Sequence, residues 1–106
     1  MTQQRVHFGD IKPYAVPASL EALRGPSSGI VTLPMWVYWA PGKRTFDVGT
    51  RVGAKQVYTA VLSEGVLDEV CEIVNAQRLT QLWDAMVIPR RAQALWEQRF
   101  PQLVEG

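Results

Sequence analysis

The sequence predicts a single α+β domain, in which a small antiparallel β-meander is followed by a helical C-terminal half of about four short helices. β-branched and aromatic residues with a spacing of two occupy 30–48, whereas apolar residues recur every three or four positions over 54–100. Because the strands and the helices occupy separate parts of the chain, this pattern indicates α+β and not α/β architecture. A chain of 106 residues with 47% hydrophobic content is sufficient for one such core.

The first 17 residues have no hydrophobic period and contain two prolines, each of which favours extended backbone before it. We therefore predict an extended N-terminal arm over 1–17 and a single domain over 18–106. That domain begins with a short helix at 18–24, because Leu20 and Leu23 lie on one helical face and a Gly-Pro pair follows.

Three strands are predicted next, at 30–33, 35–39 and 45–48. Pro34 separates the first two strands, because proline cannot donate to a β-ladder. The sequence Pro41-Gly42 is typical of a tight turn and joins the second strand to the third. Consecutive strands with short connections predict an antiparallel meander.

Four helices are predicted within 54–100, each with an apolar stripe along one face. The first ends near Gly65, the second covers 66–74, the third covers 77–86, and the fourth begins near Pro89. Strands and stripes together predict a core that includes Leu33, Val37, Trp39, Phe46, Tyr58, Val61, Leu62, Val70, Cys71, Leu82, Trp83, Trp96 and Phe100.

The composition excludes several classes of protein. Eleven Lys and Arg residues against ten Asp and Glu residues give a net charge of +1, which, with the high apolar content, excludes a disordered tail. One cysteine cannot form an intrachain disulfide scaffold. No apolar run approaches the length of a membrane span, and the first residues lack a signal-peptide core, so we expect a cytoplasmic protein.

The residues that could carry catalysis or bind a metal are poorly placed. His7, the one histidine, lies in the predicted arm, and Cys71, the one thiol, lies on a core-facing stripe beside acidic residues. Asp68, Glu69 and Glu72 could share one helical face and hold Mg²⁺ or Ca²⁺, although a solvated face or an acidic docking patch fits them better. We therefore predict a protein that is not an enzyme and has no cofactor and no metal site.

A DNA-binding transcriptional regulator is the alternative function. The helices at 66–74 and 77–86 have the outline of a helix-turn-helix, but its apolar anchor positions fall on polar residues when the turn is set at Asn75. The near-neutral charge also disfavours extensive contact with phosphates. The side chains that could read base edges are Gln77, Arg78, Thr80 and Gln81.

The run 35–39 carries apolar and aromatic residues at consecutive positions, so that a strand there would be apolar on both faces. Either both faces belong to a closed core, or one face is covered by a second copy or by another protein. The second interpretation, a face covered by a second copy or another protein, places Trp36 and Tyr38 at an interface, with the basic residues Lys43 and Arg44 at its rim. The favoured function is therefore a non-enzymatic protein–protein interaction module, which binds another protein, itself, or both.

Two groups of residues resemble a recurring type of short, uncharacterised actinobacterial protein, over about residues 20 to 103. The first group is Leu23-Arg24-Gly25-Pro26, Gly29, Leu33-Pro34, Trp39 and Phe46-Asp47. The second group is Tyr58, Val61-Leu62, Glu64-Gly65, Asn75, Leu82-Trp83, Pro89 and the run from Trp96 to Pro101. Members of this type look like the small partner encoded next to nucleotidyltransferase-like toxin genes. The resemblance thus implies an antitoxin-like role or a regulatory subunit, with no catalytic motif.

Overall fold

The computed structural model describes residues 14–37 and 45–105, in which two strands precede five α-helices. The strands are β1 (Ile30–Thr32) and β2 (Thr45–Asp47). The helices are α1 (Arg51–Glu64), α2 (Leu67–Ile73), α3 (Ala76–Leu82), α4 (Arg90–Arg99) and α5 (Gln102–Glu105). Two 3₁₀ turns, Leu20–Ala22 and Trp83–Ala85, complete the regular structure of the described residues.

The α+β class predicted from the sequence is confirmed, with a two-stranded antiparallel sheet preceding a helical C-terminal half. β1 pairs with β2 so that Val31 lies opposite Phe46. The predicted helix at 18–24 is a single 3₁₀ turn, because Leu23 adopts extended backbone and ends it.

The prediction of a strand at 35–39 is wrong for residues 35–37. These residues form a turn, in which the Val37 N–H donates to the Pro34 carbonyl oxygen at 3.0 Å. A tight turn and a strand can both send neighbouring side chains in opposite directions, and here Val37 is buried while Trp36 is exposed. The remaining residues of that predicted strand and the Pro41-Gly42 turn lie outside the described residues, as does most of the predicted arm.

A threonine caps the start of α1 and a glycine ends this helix. The Thr50 hydroxyl accepts from the Gly53 N–H at 3.0 Å at the start of α1, and this bond satisfies a donor that has no partner within the helix. Gly65 ends α1 with a φ of −80°, so a left-handed residue is not needed there. Glycine fits at this position because an added Cβ would lie only 2.7 Å from the Val61 carbonyl oxygen.

Every described residue of the predicted core is buried except Phe46, which is half-buried beside the core, and Trp39 lies outside the described residues. Aromatic rings dominate the part of the core next to α4. The Trp83 and Trp96 ring centres are 6.3 Å apart, and those of Trp96 and Phe100 are 5.7 Å apart. The Trp83 indole N–H also donates to the Glu97 carboxylate at 2.8 Å, which joins the end of α3 to α4.

We expect Trp96→Ala to lower the free energy of unfolding by about 3–5 kcal/mol, because it empties a fully buried site in the aromatic cluster. The free energy of unfolding of a whole domain of this size is only about 5–15 kcal/mol, so the variant should be marginally stable. Urea denaturation measures the loss, with Val87→Ala as the exposed control. A loss below about 1 kcal/mol would contradict the central place of Trp96 in the core.

Candidate functional site

Asn75, at the junction of α2 and α3, joins three separate parts of the chain. Its side-chain N–H donates to the Gly25 carbonyl oxygen at 3.1 Å, and its backbone N–H donates to the Tyr58 hydroxyl at 3.2 Å. Its side-chain oxygen accepts from the Arg78 N–H at 3.0 Å and so caps α3. The N-terminal segment, α1 and α3 are therefore held against one residue.

The N-terminal segment reaches this junction by close backbone contact. The Arg24 N–H donates to the Cys71 carbonyl oxygen at 2.8 Å, and the Gly25 N–H donates to the Val74 carbonyl oxygen at 2.9 Å. An added Cβ on Gly25 would collide with the Ile73 carbonyl group, so glycine is required for this approach. These bonds occupy carbonyl groups at the end of α2 and hold that helix in place.

Arg78, on α3, also forms hydrogen bonds that stabilise this region. Its guanidinium donates to the carbonyl oxygens of Val48 at 3.0 Å and Thr50 at 3.3 Å, and it contacts the Gln81 side-chain oxygen at 3.5 Å. Arg78 therefore links α3 to the loop that precedes α1. A guanidinium with these partners would have to leave two carbonyl groups before it could contact a nucleic acid.

The other residues of the DNA-binding alternative do not form a surface suited to contact DNA bases. The Thr80 hydroxyl donates to the Ala76 carbonyl oxygen at 2.9 Å within α3. Gln77 and Gln81 are exposed and line a surface hollow with Asp84, whose negative charge would repel phosphate. The four predicted residues therefore lie together on α3. The one cationic side chain among them, Arg78, is already bonded to backbone carbonyl groups.

Trp36 is the most distinctive surface residue of the described chain. Its side chain is 70% exposed, yet its indole N–H donates to Glu69 Oε2 at 2.6 Å. The other oxygen of that carboxylate, Oε1, accepts from the Val66 N–H at 3.0 Å and caps the first turn of α2. The tryptophan ring is therefore held in one orientation by a residue that is itself positioned by a helix end.

Further exposed apolar residues lie next to Trp36 in the chain or at the start of α2. Met35 precedes it in the turn, and Val66 and Leu67 begin the helix to which it is bonded; all three are exposed. We call Met35, Trp36, Val66, Leu67 and Glu69 the Trp36 surface. A surface patch of this kind is typical of an interaction site, because large apolar groups are costly to leave in water.

Sequence reasoning identified Trp36 but missed the rest of this surface. The apolar stripe of the helix predicted at 66–74 would include Leu67, but Leu67 lies in the first turn of α2 and is exposed. Glu69 has the spacing of the acidic member of a capping box, three residues after the N-cap, but the N-cap is Val66 and has no side-chain oxygen, so the sequence shows no capping-box signature. Tyr38, Lys43 and Arg44, the other predicted partner-binding residues, lie outside the described residues.

A shallow groove of about 450 Å³ lies on the opposite side of the same turn, where Val37 points inwards. Among the described residues its lining is Val37, Lys55, Gln56, Thr59, Ala60, Ser63, Ala85 and Val87. Lys55 is the only titratable group in this set, so the described lining offers no acid–base pair.

The candidates for metal or nucleophilic chemistry are dispersed. Cys71 is buried and free, and His7 lies outside the described residues. Both oxygens of Glu69 accept hydrogen bonds from Trp36 and Val66. Over residues 14–37 and 45–105, no three His, Cys, Asp or Glu side chains are grouped so that they could hold a metal ion.

Comparison with known proteins gives no match: no family model fits the chain, no curated protein is significantly similar in sequence, and no solved structure is significantly similar in fold. None of the described helices combines the length and the apolar character that a membrane crossing requires.

We expect Asn75→Ala to lower the free energy of unfolding by about 2–3 kcal/mol. The substitution removes the cap of α3 and leaves the partly buried Gly25 carbonyl without its donor. Gln77→Ala, an exposed change on the same helix, is the control and should cost less than about 0.5 kcal/mol. Equal losses in the two variants, measured by urea denaturation, would contradict the role assigned to Asn75.

Burial raises the pKa of Tyr58, an effect opposed by the hydrogen bond from Asn75 and by the charge of Arg78. Above the ordinary tyrosine pKa of about 10, the unfolded chain loses this proton while the folded chain retains it. The unfolded state then binds fewer protons, so the free energy of unfolding falls as the pH rises above 10.

Tyr58→Phe should flatten this alkaline fall, while stability at neutral pH decreases because the Asn75 N–H loses its acceptor. Urea denaturation at several pH values between about 8 and 11 measures both effects. The same alkaline slope in the parent protein and the variant would show that Tyr58 does not control it.

Proposed function

We propose that this chain is a cytoplasmic, non-enzymatic protein–protein interaction module that binds its partner through the Trp36 surface. The observation that carries the proposal is the exposed Trp36 ring, held in place by its bond to Glu69. Tryptophan dominates the energy of many protein interfaces, because one residue buries a large apolar area and retains one polar contact.

The fixed orientation of Trp36 supports this function. An exposed side chain normally loses rotational freedom when a partner covers it, and that loss opposes binding. The bond to Glu69 restricts the indole before any partner arrives, so less freedom remains to be lost. Met35 next to it is flexible and adapts to irregular apolar surfaces.

An antitoxin-like or regulatory role is the form of this function that we propose, on the basis of the resemblance described above. Such a protein acts by occupying its partner and needs no catalytic group of its own. The alternative, a DNA-binding regulator, has less support, because Arg78 is bonded to backbone carbonyls and Asp84 lies beside Gln77 and Gln81.

The test begins with the protein encoded by the adjacent gene, which is co-expressed and purified with this chain. Trp36→Ala should weaken the complex by more than about 2 kcal/mol, or roughly 30-fold, as the truncation of an interface hot spot does. The variant should unfold at nearly the same urea concentration as the parent protein, because Trp36 is exposed.

Val104→Ala is the control, since Val104 is also exposed but lies on α5. It should leave the affinity unchanged. Undiminished binding by Trp36→Ala, or the unfolding of that variant, would refute the proposed surface. Sedimentation of the isolated protein with and without the substitution applies the same test to self-association.

A further inference from the structure

The stretch of chain that contains α2 carries charge of one sign. Residues 56–77 contain four carboxylates and no lysine or arginine, although the whole chain has a net charge of +1. Three of these carboxylates, those of Asp68, Glu69 and Glu72, belong to α2, the helix to which Trp36 is bonded. These carboxylates belong to the helix that holds the exposed tryptophan, and the cationic Arg24 contacts that helix through its backbone at the opposite end.

Two of these carboxylates do not contribute to the fold in any way that the structure reveals. Asp68 and Glu72 are exposed, and neither has a hydrogen bond or an ion pair within the described part of the chain. They lie four residues apart on a helix, where like charges repel each other. Glu72 also lies in the last turn of α2, where the helix dipole disfavours a negative charge.

Helix geometry places Glu72 on the same side of α2 as Glu69, one turn further along. Glu69 binds the Trp36 indole, so the Glu72 carboxylate, which has no partner over 14–37 and 45–105, continues the surface that begins at the tryptophan. Exposed apolar groups and exposed carboxylates are thus presented by the same helix and the turn bonded to it. A partner that covers both must supply apolar side chains for the first and cations for the second.

Resting on the proposed function, we infer that the segment docking on the Trp36 surface is amphipathic and positively charged. Its apolar side chains cover Trp36, Met35 and Val66, and its lysine or arginine side chains pair with Asp68 and Glu72. An arginine can in addition stack on the exposed indole face. The same charges repel phosphate groups and acidic segments, so this surface discriminates against them.

The expectation that Lys43 and Arg44 rim the surface favours an acidic partner, which is the opposite sign. Those two residues lie outside the described residues. The acidic neighbours of Trp36 lie on a helix that is directly bonded to it, and we therefore base the sign of the partner on them.

Two model peptides test the inference without knowledge of the natural partner. Each has about 14 residues, or four helical turns, with the same leucine face. One carries lysine on its polar face and the other carries glutamate. Calorimetric titration into the parent protein should show at least tenfold tighter binding of the lysine peptide, and raising the salt from about 50 to 300 mM should weaken that binding.

Variants locate the contact. Asp68→Lys and Glu72→Lys should each weaken binding of the lysine peptide by about fivefold or more. Asp84→Lys is the matched control, because Asp84 is also an exposed aspartate in the first turn of a helical segment, and the substitution changes the net charge equally. It should have little effect. Circular dichroism checks that each variant is folded.

The outcomes separate the inference from the proposed function. Equal affinity for the two peptides, no detectable binding of the lysine peptide, or equal losses in Asp68→Lys and Asp84→Lys would overturn the inferred partner charge. Such results leave the Trp36→Ala test of the adjacent-gene complex intact. Sedimentation of the isolated chain as a dimer that Trp36→Ala dissociates would overturn the inference by identifying a second copy as the occupant.

Discussion

The arrangement of this small domain depends on the polar groups of one asparagine. Asn75 ends the connection between two helices, and its backbone and side-chain groups pair with Gly25, Tyr58 and Arg78, which come from different parts of the chain. A two-stranded sheet of three-residue strands contributes little stability by itself. The relative placement of the N-terminal segment and the helices is therefore specified by this junction together with the apolar core.

The junction also determines which parts of α2 are exposed. The end of the helix is covered by the backbone of Arg24 and Gly25, which bond to its last carbonyls. Its buried side supplies Val70 and Cys71 to the core. The first turn and the acidic face remain, and the first turn is where Glu69 holds Trp36. The exposed tryptophan therefore rests on a helix that is fixed at its other end.

Much of the fold could be predicted from the sequence, because the helices are amphipathic and their stripes show directly which residues are buried. The turn after Pro34 could not, since alternating apolar residues are compatible with a strand and only the bond from Val37 to Pro34 distinguishes the two. The same limit applies to the site. Trp36 and Glu69 are 33 residues apart, and Gly25 and Asn75 are 50 apart, so no local pattern connects either pair. The apolar and aromatic run 35–39 indicated a surface at Trp36, but the carboxylates beside it depend on which helix lies next to the turn.

One carboxylate serves two purposes, which couples the order of a helix end to the position of the exposed tryptophan. Glu69 caps the Val66 N–H with one oxygen and holds the indole with the other. A partner that draws Trp36 away from Glu69 leaves that carboxylate free to turn towards a cation, and the cap on Val66 weakens as it turns. The Val66 amide would then exchange its hydrogen with solvent faster in the complex, even where the partner shields the surrounding side chains. A partner that leaves the indole in place would slow the same exchange. The exchange rate of the Val66 amide would therefore distinguish a partner that displaces Trp36 from one that covers it.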